Sequence, residues 1–279
     1  MSEATVTSGL VEAQAPPPAL PKPWTVTRIA GHALIAFWLF CAVMLVWYLI
    51  AAWDPAKVSR YGPRFLEGLG VTLTLVAISI IIGAILSLPV AFARMSKNPV
   101  LSGISFGYVY LFRGTPLLAQ LFLIYYGLGS FRQELETIGL WVFFRDAWNC
   151  AIFAFTLNTA AYQAEIVRGA VQSVPKGQWE GGSALGLTRP QTFGKIIAPQ
   201  ALVVALRPYG NEIILMIKGS AIVALITVFD LMGETRRAFS RTFDFQTYIW
   251  AAIFYLIIVE VLRNVWAWLE KRLTKHLVR

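Results

Sequence analysis

The sequence predicts an all-α fold of the polytopic membrane type, a bundle of about six transmembrane helices, and three observations predict it. Of the 279 residues, 57% are hydrophobic and only 14% are charged, too little charged surface for an ordinary water-soluble domain. Several uncharged apolar runs reach or approach the ~20 residues that a helix needs to cross the hydrocarbon core. The basic residues behind the net charge of +9 are spread through the connections between those runs. That is the pattern that orients membrane helices, not the single basic face that a nucleic-acid partner requires, so a membrane and no nucleic acid is expected.

Residues 1–28 are polar and proline-rich, with Pro16, Pro17, Pro18, Pro21 and Pro23. They hold too little apolar surface to fold alone and are expected to form a disordered cytoplasmic tail. The run from Ile29 to Trp53 carries no formal charge and is longer than the core of a secretory signal. It is expected as a retained first span which, with an outer loop, occupies 29–64. A second run, Gly68 to Ala93, ends at Arg94 and Lys97. The third, about 104–128, is interrupted by Arg113-Gly114-Thr115-Pro116, where a proline implies a kink packed against neighbours. The fourth, Ala147 to Ala164, leads straight into a polar stretch. The fifth, roughly 201–232, is the least apolar, because Arg207, Glu212 and Lys218 interrupt it. The sixth, about 245–268, finishes in a basic end at 271–279.

With the N-terminus inside, Lys and Arg number fourteen in the inner segments against eight in the outer ones, which favours cytoplasmic termini. Cys41 and Cys150 lie within or beside apolar runs and far apart, so they read as small buried residues with no disulfide frame and no metal spacing.

The stretch of about 165–199 between the fourth and fifth runs is polar and glycine-bearing. Pro175 suits the first turn of a helix, Gly186 can supply the positive φ that ends it, and Thr188 with Gln191 matches a capping box. Pro190 then falls in the first turn of a second helix, and Pro199 is expected to stop it. The outcome is a helix, a kink and a helix, with Lys176, Glu180, Arg189 and Lys195 keeping one side wet.

Here the sequence resembles a known family. Glu180-Gly181-Gly182, then Gly186 four residues on, then Ile196 and Pro199, is similar to the EAA loop of ABC-transporter permease subunits, whose usual form is E-A-A, three residues, G, nine residues, I-x-L-P. The spacing is met, while the Ala-Ala pair is Gly181-Gly182 and the usual Leu is Ala198. Arg113-Gly114-Thr115-Pro116, Gln172 to Gly177 and Asn211-Glu212 resemble the polar amino acid branch, of the histidine and octopine type. The resemblance covers roughly 65–270, which it implies is the permease domain, with the first span as an addition to a five-helix core.

The resemblance implies a multi-pass subunit of a bacterial inner membrane, with a cytoplasmic loop whose Glu180, Gly181, Gly182, Gly186, Ile196 and Pro199 couple to an ATP-binding ABC subunit. It further implies a second permease copy or paralogue and a periplasmic substrate-binding protein. No cofactor is expected on this chain, and ATP-Mg belongs to the ATPase partner. The expected cargo is a basic or amide-bearing amino acid or an opine. A self-sufficient secondary transporter is the alternative, and it would normally show related halves. An integral membrane enzyme is disfavoured, because His32 and His276 lie near the two ends and no nucleophile elbow or phosphate loop is present.

Polar residues within the spans are the candidates for a substrate path, because each is expensive in lipid unless it faces protein or water. Asn158, Tyr162 and Glu165 share one helical face, though for the first two inter-helix bonding is an equal reading. Glu165 and Arg168 suit an intrahelical pair. Asn211 and Lys218 share a face from which Glu212 turns away, and Lys218-Gly219-Ser220 is a natural place for the helix to break at depth. Lys218 either pairs with a carboxylate, grips a carboxyl group of the cargo, or snorkels. Asp230, Glu234, Arg236, Arg237, Arg241 and Asp244 read as a mixed-charge outer loop that is either a plain solvated face or a dock for the binding protein.

Overall fold

A computed structural model describes residues 24–275. Residues 1–23 of the expected tail and the last four residues of the basic end lie outside the described residues. The chain divides into two units, 1–53 and 54–279.

In the first unit, α1 (Val26–Ala51) starts where Thr25 Oγ1 accepts the Arg28 N–H at 3.3 Å. Helix thus begins inside the segment expected as tail. None of its residues is buried within the chain. An apolar surface on all sides suits a helix solvated by lipid.

In the second unit, α2 runs from Pro55 to Arg94 over 40 residues, about 60 Å at 1.5 Å per residue. The outer loop expected before residue 64 is therefore helical from Pro55. Asp54 Oδ1 accepts the N–H groups of Ala56 and Lys57 at 2.9 and 3.3 Å, and Pro55 occupies a position where its missing N–H costs nothing. Beyond it come α3 (Pro99–Gly114), α4 (Leu117–Phe122) with a π turn at Leu123–Gly127, α5 (Arg132–Thr137), α6 (Trp141–Phe144) and α7 (Ala147–Ser173). The polar stretch of 165–199 holds α8 (Lys176–Ala184) and α9 (Arg189–Thr192). A second π turn, Phe193–Ile197, leads into α10 (Ala198–Ser220), and a 3₁₀ run follows at Ala221–Ile226. The chain closes with α11 (Leu231–Thr242) and α12 (Gln246–Leu273).

The bundle is organised around α7, which packs along α2 and against α3, α4 and α10. The α2 face toward it is a stripe of small residues, with Ser79, Gly83, Ser87 and Ala91 buried. Small residues let backbones approach where lipid supplies no hydrophobic drive. A Cβ built on Gly83 would lie 2.6 Å from Thr159 Cγ2. Leu75, Val76, Leu121, Ile124, Phe155, Met216, Ile217, Val223 and Ile226 fill the centre between these helices.

By length and composition, four helical stretches among the described residues suffice to cross a membrane: 26–51, 55–94, 189–226 and 246–273. The expected third span is two helices, because the backbone at Thr115 and Pro116 is extended. The expected fourth, α7, has 27 residues but falls short in apolarity. It buries Thr156, Asn158, Thr159 and Gln163, polar residues that an enclosed helix can carry because it meets protein instead of lipid.

Three further expectations change. Pro199 does not stop a helix. The π turn lets the Ala198 N–H reach Phe193 O, so the missing N–H of Pro199 falls in the first turn of α10. Residues 230–244 are not a mixed-charge loop but α11, whose cap Asp230 accepts the Gly233 N–H at 2.8 Å and whose Glu234 is buried. Cys150 is buried, whereas Cys41 on α1 is half-exposed. The break expected after Lys218 is present, since α10 passes into the 3₁₀ run after Ser220.

Basic residues counted to one side gather at one end of this unit. Arg94 and Arg168 both meet Glu165, and Arg207 meets Glu270 at 2.6 Å. Lys57, counted to the other side, pairs with Asp244 at 2.6 Å at the opposite end.

Candidate coupling loop and polar pathway

The 165–199 stretch folds as an elbow. Val174 and Pro175 are extended, which ends α7 and starts α8. At the far end of α8 the Leu187 N–H reaches Gly182 O and the Gly186 N–H reaches Ser183 O, both at 3.0 Å. This is the two-bond termination that needs a left-handed residue, and Gly186 has φ +72°. Gln191 Oε1 then accepts the Thr188 N–H at 2.9 Å, the reciprocal half of a capping box.

One side of the elbow is locked into the bundle. Trp179, Phe193 and Ile196 pack on Ala170 and Val174 at the end of α7, on Ile197 of the π turn, and on Ala201 and Ala205 of α10. The Phe193 ring also meets Phe92 of α2, with centroids 5.6 Å apart. The other side is open: Lys176, Glu180, Gly181, Gly186, Arg189, Lys195 and Pro199 are exposed. Between α8 and α9 lies a cleft of about 900 Å³ lined by Lys176, Trp179, Glu180, Ser183 and Arg189 among others. The two glycines of the motif separate. Gly182 is buried with Thr192 Cγ2 2.6 Å from a would-be Cβ, while nothing lies within 4 Å of one on Gly181. Gly182 thus serves the elbow's own packing.

Glu165 joins more than the expected intrahelical pair. Its carboxylate lies 2.7 Å from Arg168 Nη2, 3.2 Å from Arg94 Nε and 3.7 Å from Arg113 Nη1. Arg113 also sits over the Tyr162 ring at 5.1 Å. Asn158 is occupied differently. Its Nδ2 donates to Gln120 Oε1 at 2.9 Å and to Phe112 O at 3.1 Å. Gln120 Nε2 donates to Phe112 O and Thr115 O at 2.9 and 3.1 Å. The two amides together satisfy carbonyls freed by the break before Pro116, as a helix interrupted within a bundle requires.

Glu212 is buried and accepts the Thr159 hydroxyl at 2.9 Å. Thr159 Oγ1 in turn accepts from Gln163 Nε2 at 3.0 Å, and the Tyr209 hydroxyl donates to Gln163 Oε1. This α7–α10 network was not foreseen in the sequence, although Thr159 and Gln163, four apart beside Asn158 and Tyr162, mark a second polar face of α7. Asn211 and Lys218 share the exposed face of α10, opposite Glu212. Lys218 forms no ion pair among the described residues, so a pairing with Glu212 is not made.

This geometry agrees with what the chain is similar to. A family model described as "Binding-protein-dependent transport system inner membrane component" matches residues 79–275. The nopaline transport system permease protein NocM of Agrobacterium fabrum is 43% identical over 216 residues, 77% of this chain and 90% of that protein. The arginine ABC transporter permease protein ArtM of Haemophilus influenzae is 41% identical over 214 residues, 76% and 93% of the two chains. A crystal structure of an amino acid ABC transporter with histidines superposes with a TM-score of 0.70 at 33% identity, covering 79% of this chain and 99% of that one. The chain belongs to the family of binding-protein-dependent transport system inner membrane components and is an ABC-transporter permease.

Proposed function

We propose that this permease carries a polar amino acid, basic or of the opine type, across the inner membrane as one of two permease subunits. A separate ATP-binding subunit grips the elbow from the cytoplasm, holds ATP and its Mg²⁺, and supplies all the hydrolysis. A periplasmic substrate-binding protein delivers cargo at the opposite end. The relatives named for nopaline and arginine support the cargo class.

The observation that carries the reading is the two-sidedness of the elbow. Glu180, Gly181 and Gly186 are exposed, while Trp179 and Phe193 on its other side join the ends of α2, α7 and α10. A push on the open side moves three bundle helices together, which is how a local contact biases a two-state packing. In this reading Asn211 and Lys218 face the second permease and the cargo, with Lys218 available to a carboxylate. Tyr162 and Glu165 contribute through Arg113, and Glu212 holds α10 against α7.

Co-purification tests it. The ATPase is expected to come with the chain from detergent, and Glu180→Ala or Gly186→Ala to release it. Gly186→Ala must also place a Cβ in the left-handed region, at a cost of about 1–2 kcal/mol. Full transport by the chain alone in vesicles without nucleotide would overturn the reading.

A further inference from the structure

At the end of α7 remote from the elbow, about 40 Å away along a 27-residue helix, the second unit holds another cleft, of about 540 Å³. Tyr125, Arg145, Asp146, Trp148, Thr227 and Phe229 line it. Its charges are opposite, adjacent in sequence and not spent on each other. Arg145 and Asp146 are exposed, and neither belongs to an ion pair among the described residues. Asp146 uses one carboxylate oxygen, Oδ1, to accept the Trp148 N–H at 2.8 Å. Both side chains line the cleft together with the aromatic residues Tyr125, Trp148 and Phe229.

A carboxylate and a guanidinium that share a cleft without neutralising one another match a ligand carrying both charges itself. An anion alone would be repelled by Asp146, and a cation alone by Arg145. We propose that this cleft binds the zwitterionic head of the incoming amino acid or opine before it enters the bundle. The α-carboxylate meets Arg145, whose planar fork suits it. The protonated amine meets Asp146, and the aliphatic stem lies on Trp148, Tyr125 and Phe229. The site is distinct from the Glu165 cluster and from Lys218. It rests on the reading above in two respects, that the cargo is an amino acid or opine and that the end away from the elbow faces the periplasm.

The test places a thiol in the cleft. In the full importer, in vesicles and in a Cys41→Ser background with Cys150 left buried, Thr227→Cys is modified by a membrane-impermeant maleimide. Ala147→Cys, also in the lining, serves as a second reporter should the first variant fold poorly. L-arginine and octopine are added as free probes, with acetate and methylammonium as single-charge controls. The expected result is severalfold slower modification with at least one zwitterion and none with either control. Arg145→Ala and Asp146→Asn should each raise the half-protecting concentration about tenfold, the loss of one charge-assisted bond, and asparagine keeps the helix cap. Equal rates with and without both probes overturn the proposal. So does protection by the empty binding protein but by neither free probe, which would make the cleft a protein dock. ATP-driven uptake by the unmodified importer in the same vesicles reports separately on the permease reading. Protection without uptake sinks that reading and leaves the cleft standing.

Discussion

Gly182 and Thr192 are packed against one another so closely that no side chain fits between them. A Cβ on Gly182 would lie 2.6 Å from Thr192 Cγ2 and 2.7 Å from its Oγ1. The contact clamps α8 onto α9 and sets the angle of the elbow, so the glycine pair of the motif is one residue of internal packing beside one residue of open surface.

Gly182→Ala should therefore destabilise the protein by about 1–3 kcal/mol through overpacking and loosen the ATPase, and Thr192→Ala in the same chain should restore part of both. Gly181→Ala, with open space around it, should raise helix stability by up to about 1 kcal/mol and act only through the partner. Thermal unfolding of the purified chain, compared with ATPase retention for the three variants, separates the two glycines. Equal loss of stability for both would contradict the packing described.

Glu165 is the shared counterion of Arg94 and Arg168, its side chain 13% exposed and theirs 17% and 27%. Glu165→Gln leaves partly buried guanidinium groups without their carboxylate and should cost on the order of 2 kcal/mol. A double-mutant cycle with Arg168→Gln should show the larger coupling, because Arg168 meets the carboxylate through both Nε and Nη2. A cycle with Arg94→Gln should show a smaller one, because Arg94 meets it through Nε alone.

The Lys57 ammonium, 2.6 Å from Asp244, holds that carboxyl below the usual carboxylate range, helped by the Gln246 N–H. A depressed folded pKa stabilises the fold fully above the unfolded value of about 3.9, and the contribution disappears as pH falls through the folded value. The difference in melting temperature between the natural chain and Lys57→Met should stay constant from neutral pH down to about pH 5 and shrink below it. A difference that grows on acidification would contradict the pairing.

Much of the elbow was legible in the sequence, because its signals are local. Gly186 and the Thr188–Gln191 box act within one turn, and each appears where its chemistry demands. The helix break after Ser220 was legible for the same reason. Pro199 misled because a π turn, a backbone register shift with no side-chain signature, precedes it. Asn158 reads equally as pathway or as brace in a linear chain. Its partner Gln120 is 38 residues away, and only the fold reveals that the break at Pro116 leaves carbonyls needing two amides.

What the sequence by itself determined is the all-helical membrane character, the spacing of the motif from Glu180 to Pro199 and the helical face shared by Asn211 and Lys218. Each of these follows from composition or from contacts within a few turns. The tertiary structure alone decided which polar faces of α7 are enclosed, that Arg94 reaches Glu165 across 71 positions, and that Gly182 is packing while Gly181 is surface. In a membrane bundle the outer face is apolar too, so hydrophobic periodicity does not separate lipid from core. Only the close approach of helices distant in the chain identifies which residues touch.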